Sequence, residues 1–130
     1  PTTTGDRLSP ARISGLSILF VYPWTGRPGH ANPPDWDNIP GAHGSTPEAQ
    51  GFEELIDQFK ARGIQIVGLS TQSREWQREF ASRIGLTYPL MSDSEFTVAD
   101  ALQLPRFQTG GVAYLKRLTL MCREGLIVRA

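Results

Sequence analysis

The chain alternates between two hydrophobic patterns. Leu16-Ser17-Ile18-Leu19-Phe20-Val21-Tyr22 is an almost unbroken apolar run stopped by Pro23. Such a run reads as a strand buried on both faces, as in a sheet covered by helices. Ile64 to Ser70 repeats the pattern. Between them, Phe52, Leu55, Ile56 and Phe59 stand at i, i+3, i+4 and i+7. That spacing predicts a helix from Pro47 to Arg62, ended by Gly63. A second helix is expected from Ser73 to Ile84, with Trp76, Phe80, Ala81 and Ile84 inward and Gly85 closing it. Tyr88 to Met91 reads as a short strand. Asp93 is placed to cap a third helix running through Leu102, with Phe96, Ala99 and Leu102 inward. Residues 106 to 111 read as loop, Tyr114 to Cys122 as a strand, Arg123-Glu124-Gly125 as a turn and Leu126 to Arg129 as its hairpin partner. Residues 1 to 14 are polar, with turn residues at Gly5-Asp6 and Ser9-Pro10, and suit a short edge hairpin.

Crossover helices between the first strands imply parallel pairing, and the last hairpin adds antiparallel strands. The expected fold is therefore α/β: three layers, α/β/α, around a central mixed sheet. No repeat or second domain interrupts residues 1–130, so a single domain is expected. The chain lacks an initiator Met and stops within an apparent strand, which points to trimmed or disordered ends. In open α/β sheets function gathers at the carboxyl ends of the strands. The first strand ends at Tyr22-Pro23. A long Pro/Gly/Asn-rich loop follows, from residue 23 to 44. Loops of that length in compact domains are usually functional or disordered. Trp24, Trp36 and Ile39 favour an ordered cover over the strand end.

The loop delivers the chain into Gly44-Ser45-Thr46-Pro47-Glu48. Thr46-Pro47 is a helix-entry signal, and Ser45 with Glu48 fits a capping box. A helix start attracts negative charge. A cysteine thiol gains most in acidity from that position, yet residue 45 is serine.

The chain has 13 basic and 13 acidic residues and no net charge, which argues against a nucleic-acid partner. No run is long enough to span a bilayer, so no membrane association and a cytoplasmic location are expected. Cys122 is the only cysteine and reads as a buried, inert thiol. A serine hydrolase would need a base, and His30 and His43 both lie in the loop, but the Gly-x-Ser-x-Gly elbow is absent. His30, His43, Asp35 and Asp37 are too irregularly spaced to predict a metal site. Arg117 on an apolar strand is costly unless paired, so it is expected near an anion or in an ion pair with Glu48 or another acid. Trp24, Trp36 and Trp76 read as packing, and Arg74, Arg78 and Arg83 as a solvated helix face.

Several segments together resemble the peroxiredoxins, in particular the bacterioferritin-comigratory or peroxiredoxin Q type. They are Tyr22-Pro23, Gly44-Ser45-Thr46-Pro47-Glu48-Ala49-Gln50-Gly51-Phe52, Val67-Gly68-Leu69-Ser70, Tyr88-Pro89-Leu90-Met91-Ser92-Asp93 and Lys116-Arg117-Leu118-Thr119-Leu120. The resemblance runs from about Gly15 to the last residue. It implies a thioredoxin-like fold and a thiol-dependent peroxidase acting on hydrogen peroxide and organic hydroperoxides. It also implies no cofactor, a thioredoxin- or glutaredoxin-type reductant and a monomer. By the same resemblance Ser45 occupies the peroxidatic cysteine position and Gln50 the resolving position. Arg117 matches the arginine that steadies thiolate and peroxide, and Thr46 and Pro47 match the helix entry. The family's peroxide-positioning hydroxyl falls on Ala42, which does not fit, and Thr25 is the nearby candidate. Serine lacks both an accessible anion and sulfur's oxidisable valence shell, so the chain as it stands is expected not to turn over peroxide. Two origins compete: a cysteine replaced by Ser45 in an active parent, which is the favoured reading, or a native serine in a non-catalytic thioredoxin-like binding or regulatory domain.

Overall fold

The computed structural model describes residues 15–33, 36, 44–123 and 126–129. The expected N-terminal hairpin, Ile39, Ala42, His43, Asp35, Asp37 and the turn at Glu124-Gly125 lie outside the described residues.

The first apolar run forms β1 (Leu16–Val21), and the second forms β2 (Ile64–Ser70). They pair in parallel, Leu16 with Ile64 through Val21 with Leu69. β3 (Leu90–Ser92) joins β2 in parallel. On the other side β6 (Leu118–Arg123) runs antiparallel to β1, with Val21 opposite Leu118, and β7 (Leu126–Arg129) pairs antiparallel with β6. The sheet order is β3-β2-β1-β6-β7, a mixed sheet with β1 at its centre. The successive side chains of β1 enter opposite cores, as a doubly covered strand requires. Ile18, Phe20 and Tyr22 pack with Ala49, Ile56, Phe80 and Ala81, which come from α1 (Ser45–Glu54), α2 (Ile56–Ala61) and α3 (Arg74–Ile84). Leu19 and Val21 pack with Leu69, Met91, Ala99 of α4 (Thr97–Ala101), Leu104 and Leu115. The architecture is the expected α/β/α sandwich.

Four expectations about local structure are corrected. The helix predicted over 47–62 starts at Ser45 and breaks at Leu55, which separates α1 from α2. There Leu55 N–H donates to Phe52 O at 3.2 Å and Gln58 N–H to Leu55 O at 3.0 Å. These i→i−3 bonds overwind the chain for one residue. Leu55 therefore turns outward, 44% exposed, while Ile56 is buried. The loop expected over 106–111 is instead β4 (Arg106–Thr109), hairpinned with β5 (Val112–Leu115). Gly110 and Gly111 both have positive φ, 58° and 77°, as a two-residue hairpin turn of the primed type demands. The strand expected over 114–122 is two strands, β5 and β6, interrupted at Lys116-Arg117. Finally, α4 begins at Thr97, because Phe96 adopts φ 61°. Asp93 still caps it from upstream, accepting from Val98 N–H at 3.0 Å and Ala99 N–H at 2.8 Å.

Gln77 of α3 is fully buried. Its amide donates to Ser70 Oγ at 2.8 Å and to Met91 O at 2.9 Å. A buried amide so bonded ties α3 to both β2 and β3.

Candidate active site

The chain enters α1 through Gly44, whose φ of 103° and ψ of −1° suit glycine and strain any other residue. This conformation makes Ser45 the first helical residue rather than the cap. No side chain caps α1, so neither Thr46 nor the predicted Ser45–Glu48 box serves that role. Glu48 turns elsewhere. It accepts from the Thr119 hydroxyl at 3.2 Å and lies 3.6 Å from Arg117 Nε. The ion pair expected for Arg117 is therefore present. The Arg117 guanidinium also lies against Gly44: a Cβ added there would overlap Nη1 and stand 3.2 Å from Cζ. Arg117 reaches this place from the interruption between β5 and β6.

Ser45 is 3% exposed, and its hydroxyl finds no hydrogen-bond partner among the described residues. It lines a cavity of about 350 Å³ with Trp24, Gly26, Asn32, Trp36, Gly44, Thr46 and Pro47. Trp24 closes one side, its ring 6.4 Å from Trp36 and 4.7 Å from Trp76. The Trp24 Nε1 atom is likewise buried without a partner among the described residues. Gln50 is exposed and outside this lining.

Thr25 does not line the cavity. It is buried and locked against Gln72: Thr25 N–H and Oγ1–H donate to Gln72 Oε1 at 3.3 and 3.2 Å, and Gln72 Nε2 donates to Thr25 O at 3.1 Å. Trp76 Nε1 donates to the same carbonyl at 2.7 Å. These bonds pin the backbone just after β1 and so fix Trp24 and Gly26 around the cavity. Behind α1, the Tyr88 hydroxyl donates to Ala49 O at 2.8 Å. Burial, with smaller contributions from Tyr22, Glu53 and Glu48, raises the Tyr88 phenol well above its ordinary value. Burial also pushes Tyr22 up to about 12. His30 is exposed and packs edge-on to Trp76 at 5.2 Å, and it is not among the residues that line the cavity with Ser45. Cys122 is buried, and burial raises its thiol. Sequence reasoning did not find Gln72, Tyr88 or the polar end of Trp24. Only the Tyr-Pro pair at 88–89 carried a signal, through the resemblance.

A mixed α/β/α sheet with an uncapped first helix, and an arginine from the β5–β6 connection packed on its entry, agrees with the thioredoxin-like peroxidase class. The chain belongs to the AhpC/TSA family, the peroxiredoxins, whose model matches residues 40–129. Enzymes of this family are thiol-dependent peroxidases that use a peroxide substrate and a thiol reductant. A Mycobacterium tuberculosis (strain H37Rv) protein assigned to the peroxiredoxins is 32% identical over 120 residues, 92% of this chain and 68% of the relative. The crystal structure of peroxidoxin BcpB from Mycobacterium tuberculosis superposes with a TM-score of 0.74 at 28% identity, covering 99% of this chain and 76% of that one. Xanthomonas campestris bacterioferritin comigratory protein shares the fold, with a TM-score of 0.75 at 23% identity over 98% of this chain and 75% of that one.

Proposed function

We propose that this chain is a single peroxiredoxin domain in which Ser45 stands at the peroxidatic position, so that the anion-stabilising pocket is kept while the redox atom is missing. The observation that carries this reading is Ser45 itself: buried at the first residue of α1, its Oγ unpartnered among the described residues, and next in sequence to Gly44, on which the Arg117 guanidinium packs. A sulfur there needs no hydrogen-bond partner when protonated and gains the helix start and Arg117 when ionised. A hydroxyl is too weak an acid to profit.

With cysteine at position 45, the thiolate sulfur attacks one peroxide oxygen and the O–O bond breaks. The other oxygen leaves and takes a proton as water or alcohol. The sulfur is oxidised to sulfenic acid. A reductant thiol then condenses with it, releasing water and forming a mixed disulfide, and the reductant's second thiol resolves that bond. Gln50 supplies no resolving thiol and Cys122 is buried, so the donor itself resolves the sulfenic acid, and we read it as of the thioredoxin or glutaredoxin type. That chemistry suits the reducing cytoplasm, and we read the protein as a monomer. Thr46 and Pro47 shape the entry to α1.

Ser45→Cys tests the proposal. We expect a thiol titrating below the free value of about 8.5, read by ultraviolet thiolate absorbance, and peroxide consumption with a dithiol donor that the Ser45 chain does not support. A folded Ser45→Cys protein that consumes no peroxide would instead support the second reading, a non-catalytic binding domain with serine native at 45.

A further inference from the structure

The cavity at position 45 has a neighbour. A groove of about 290 Å³ lies between the start of α3 and the β4–β5 hairpin, lined by Thr71, Gln72, Ser73, Trp76, Val112 and Tyr114 together with Trp24. Val112 is 51% exposed, so the groove meets solvent on the hairpin side. Trp24 also lines the cavity of about 350 Å³ that holds Ser45. Among the described residues it is the one residue common to both linings. Its ring stands 4.7 Å from that of Trp76, which lines the groove, and 6.4 Å from that of Trp36, which lines the cavity. Tyr114 meets it edge-on at 6.0 Å. Nε1 has no partner among the described residues, so the ring is held by packing and by the clamped backbone of Thr25 rather than by a polar anchor.

We infer that Trp24 is a specificity-determining residue for the peroxidase reaction: its ring parts the cavity at position 45 from the aromatic groove and limits the organic body of a peroxide to what the cavity alone accommodates. The inference rests on the proposal that position 45 is the peroxidatic site. Apolar space left by removing a buried ring stays dry and takes up small arenes. The space freed by truncating Trp24 borders Trp36, Trp76 and Tyr114. The two hollows would then join, and a bulky aryl hydroperoxide would gain a place for its ring. Hydrogen peroxide has no organic body and gains nothing from the joined space.

The test uses the Ser45→Cys background with a dithiol donor. Trp24→Ala should raise kcat/KM for cumene hydroperoxide relative to that for hydrogen peroxide by about tenfold or more, the lower end of what shape discrimination in an apolar pocket yields. Trp24→Leu, a smaller truncation, should move the ratio the same way by less, and it serves where Trp24→Ala fails to fold. Val112→Phe, which fills the groove from another wall, should return the Trp24→Ala ratio towards that of the parent. A ratio unmoved by truncation, both rates falling together, or a Trp24→Ala ratio indifferent to Val112→Phe overturns the inference. A second readout needs no turnover. On the Ser45 chain, 2-phenyl-2-propanol, the alcohol that cumene hydroperoxide yields, should bind Trp24→Ala about tenfold more tightly than the intact chain. It should then shift the amide resonances of both Ser45 and Gln72, and unchanged affinity counts against the partition. The two proposals fail separately. Peroxide consumption by Ser45→Cys with an unmoved ratio refutes only the role of Trp24. An inert Ser45→Cys protein whose Trp24→Ala counterpart binds the alcohol across both hollows refutes the peroxidase reading while the partition stands.

Discussion

Gly44 joins the conformation of the chain to the electrostatics of the site, and Gly44→Ala separates the two. At φ 103° an alanine carries a backbone strain of about 1–2 kcal/mol. Its methyl group would also overlap the Arg117 guanidinium. That guanidinium ends a flexible side chain, so it moves rather than the backbone. Moving it forfeits the pairing with Glu48 at 3.6 Å, in which both side chains are about one-third exposed. Solvent limits that loss to about 1 kcal/mol or less. The sum is a destabilisation of about 1–3 kcal/mol. For 130 residues, an unfolding entropy of about 2.1 cal/mol/K per residue converts this to a fall in Tm of about 4–11 °C. Gly51→Ala is the internal comparison. Gly51 lies inside α1 with no heavy atom within 4 Å of an added Cβ, so the same change there should stabilise by about 0.5–1 kcal/mol. Calorimetric scans of both variants, and of Gly44→Ala in an Arg117→Ala background, read the two parts. Without Arg117 the steric and ion-pair part should vanish while the strain persists. A Gly44→Ala protein as stable as its parent, or a cost unchanged by removing Arg117, would refute the reasoning.

Tyr22 has its pKa raised from 10.0 to about 12 by burial, so its contribution to stability is complete below pH 10 and lost as pH rises through 12. The loss is on the order of 3 kcal/mol. Tyr22→Phe should flatten that part of the alkaline stability curve, measured by urea unfolding at stepped pH, and an unchanged curve would contradict the assignment. Leu69 is 0% exposed on β2, and Leu69→Ala should cost about 2–5 kcal/mol in urea unfolding. Asp93→Ala removes both acceptors for the start of α4 and should cost about 1–2 kcal/mol. Amide exchange should then quicken first at Val98 and Ala99, and uniform exchange would argue against the cap.

The sequence was most informative where one face decided the structure. β1 and β2 are apolar on both faces and could be read from composition alone. The end of α3 was legible because Gly85 takes φ 74°. Leu55 misled because the helical spacing it shares with Phe52 and Phe59 assumes an even winding, which two tightened hydrogen bonds remove. The Gly110-Gly111 hairpin carried its own turn signal, obscured by the expectation of loop between a helix and a strand. Gln72 and Gln77 escaped because a buried amide looks in sequence like a surface one, and only its partners distinguish it. In the site, the helix entry at Ser45 was legible from Thr46-Pro47. The role of Ser45 as first helical residue was not, since it depends on Gly44 being left-handed.

The interruption at Lys116-Arg117 explains how a charge comes to serve a buried site. In an unbroken strand from Tyr114 to Cys122, Arg117 would lie beside residues of the β1 core, where an unpaired guanidinium is strongly disfavoured. The break releases it. Val21 pairs with Leu118, so Arg117 falls one step past the carboxyl end of β1, level with Tyr22 and the start of the loop. That edge is also where Gly44 turns into α1. One-third exposed and loosely paired with Glu48, the guanidinium keeps its hydration while its field reaches the first turn of the helix. Its sign there matches the positive end of the helix dipole, so the two add. The sheet register therefore sets the electrostatics at position 45, and the identity of residue 45 decides whether a thiolate is there for them to act on.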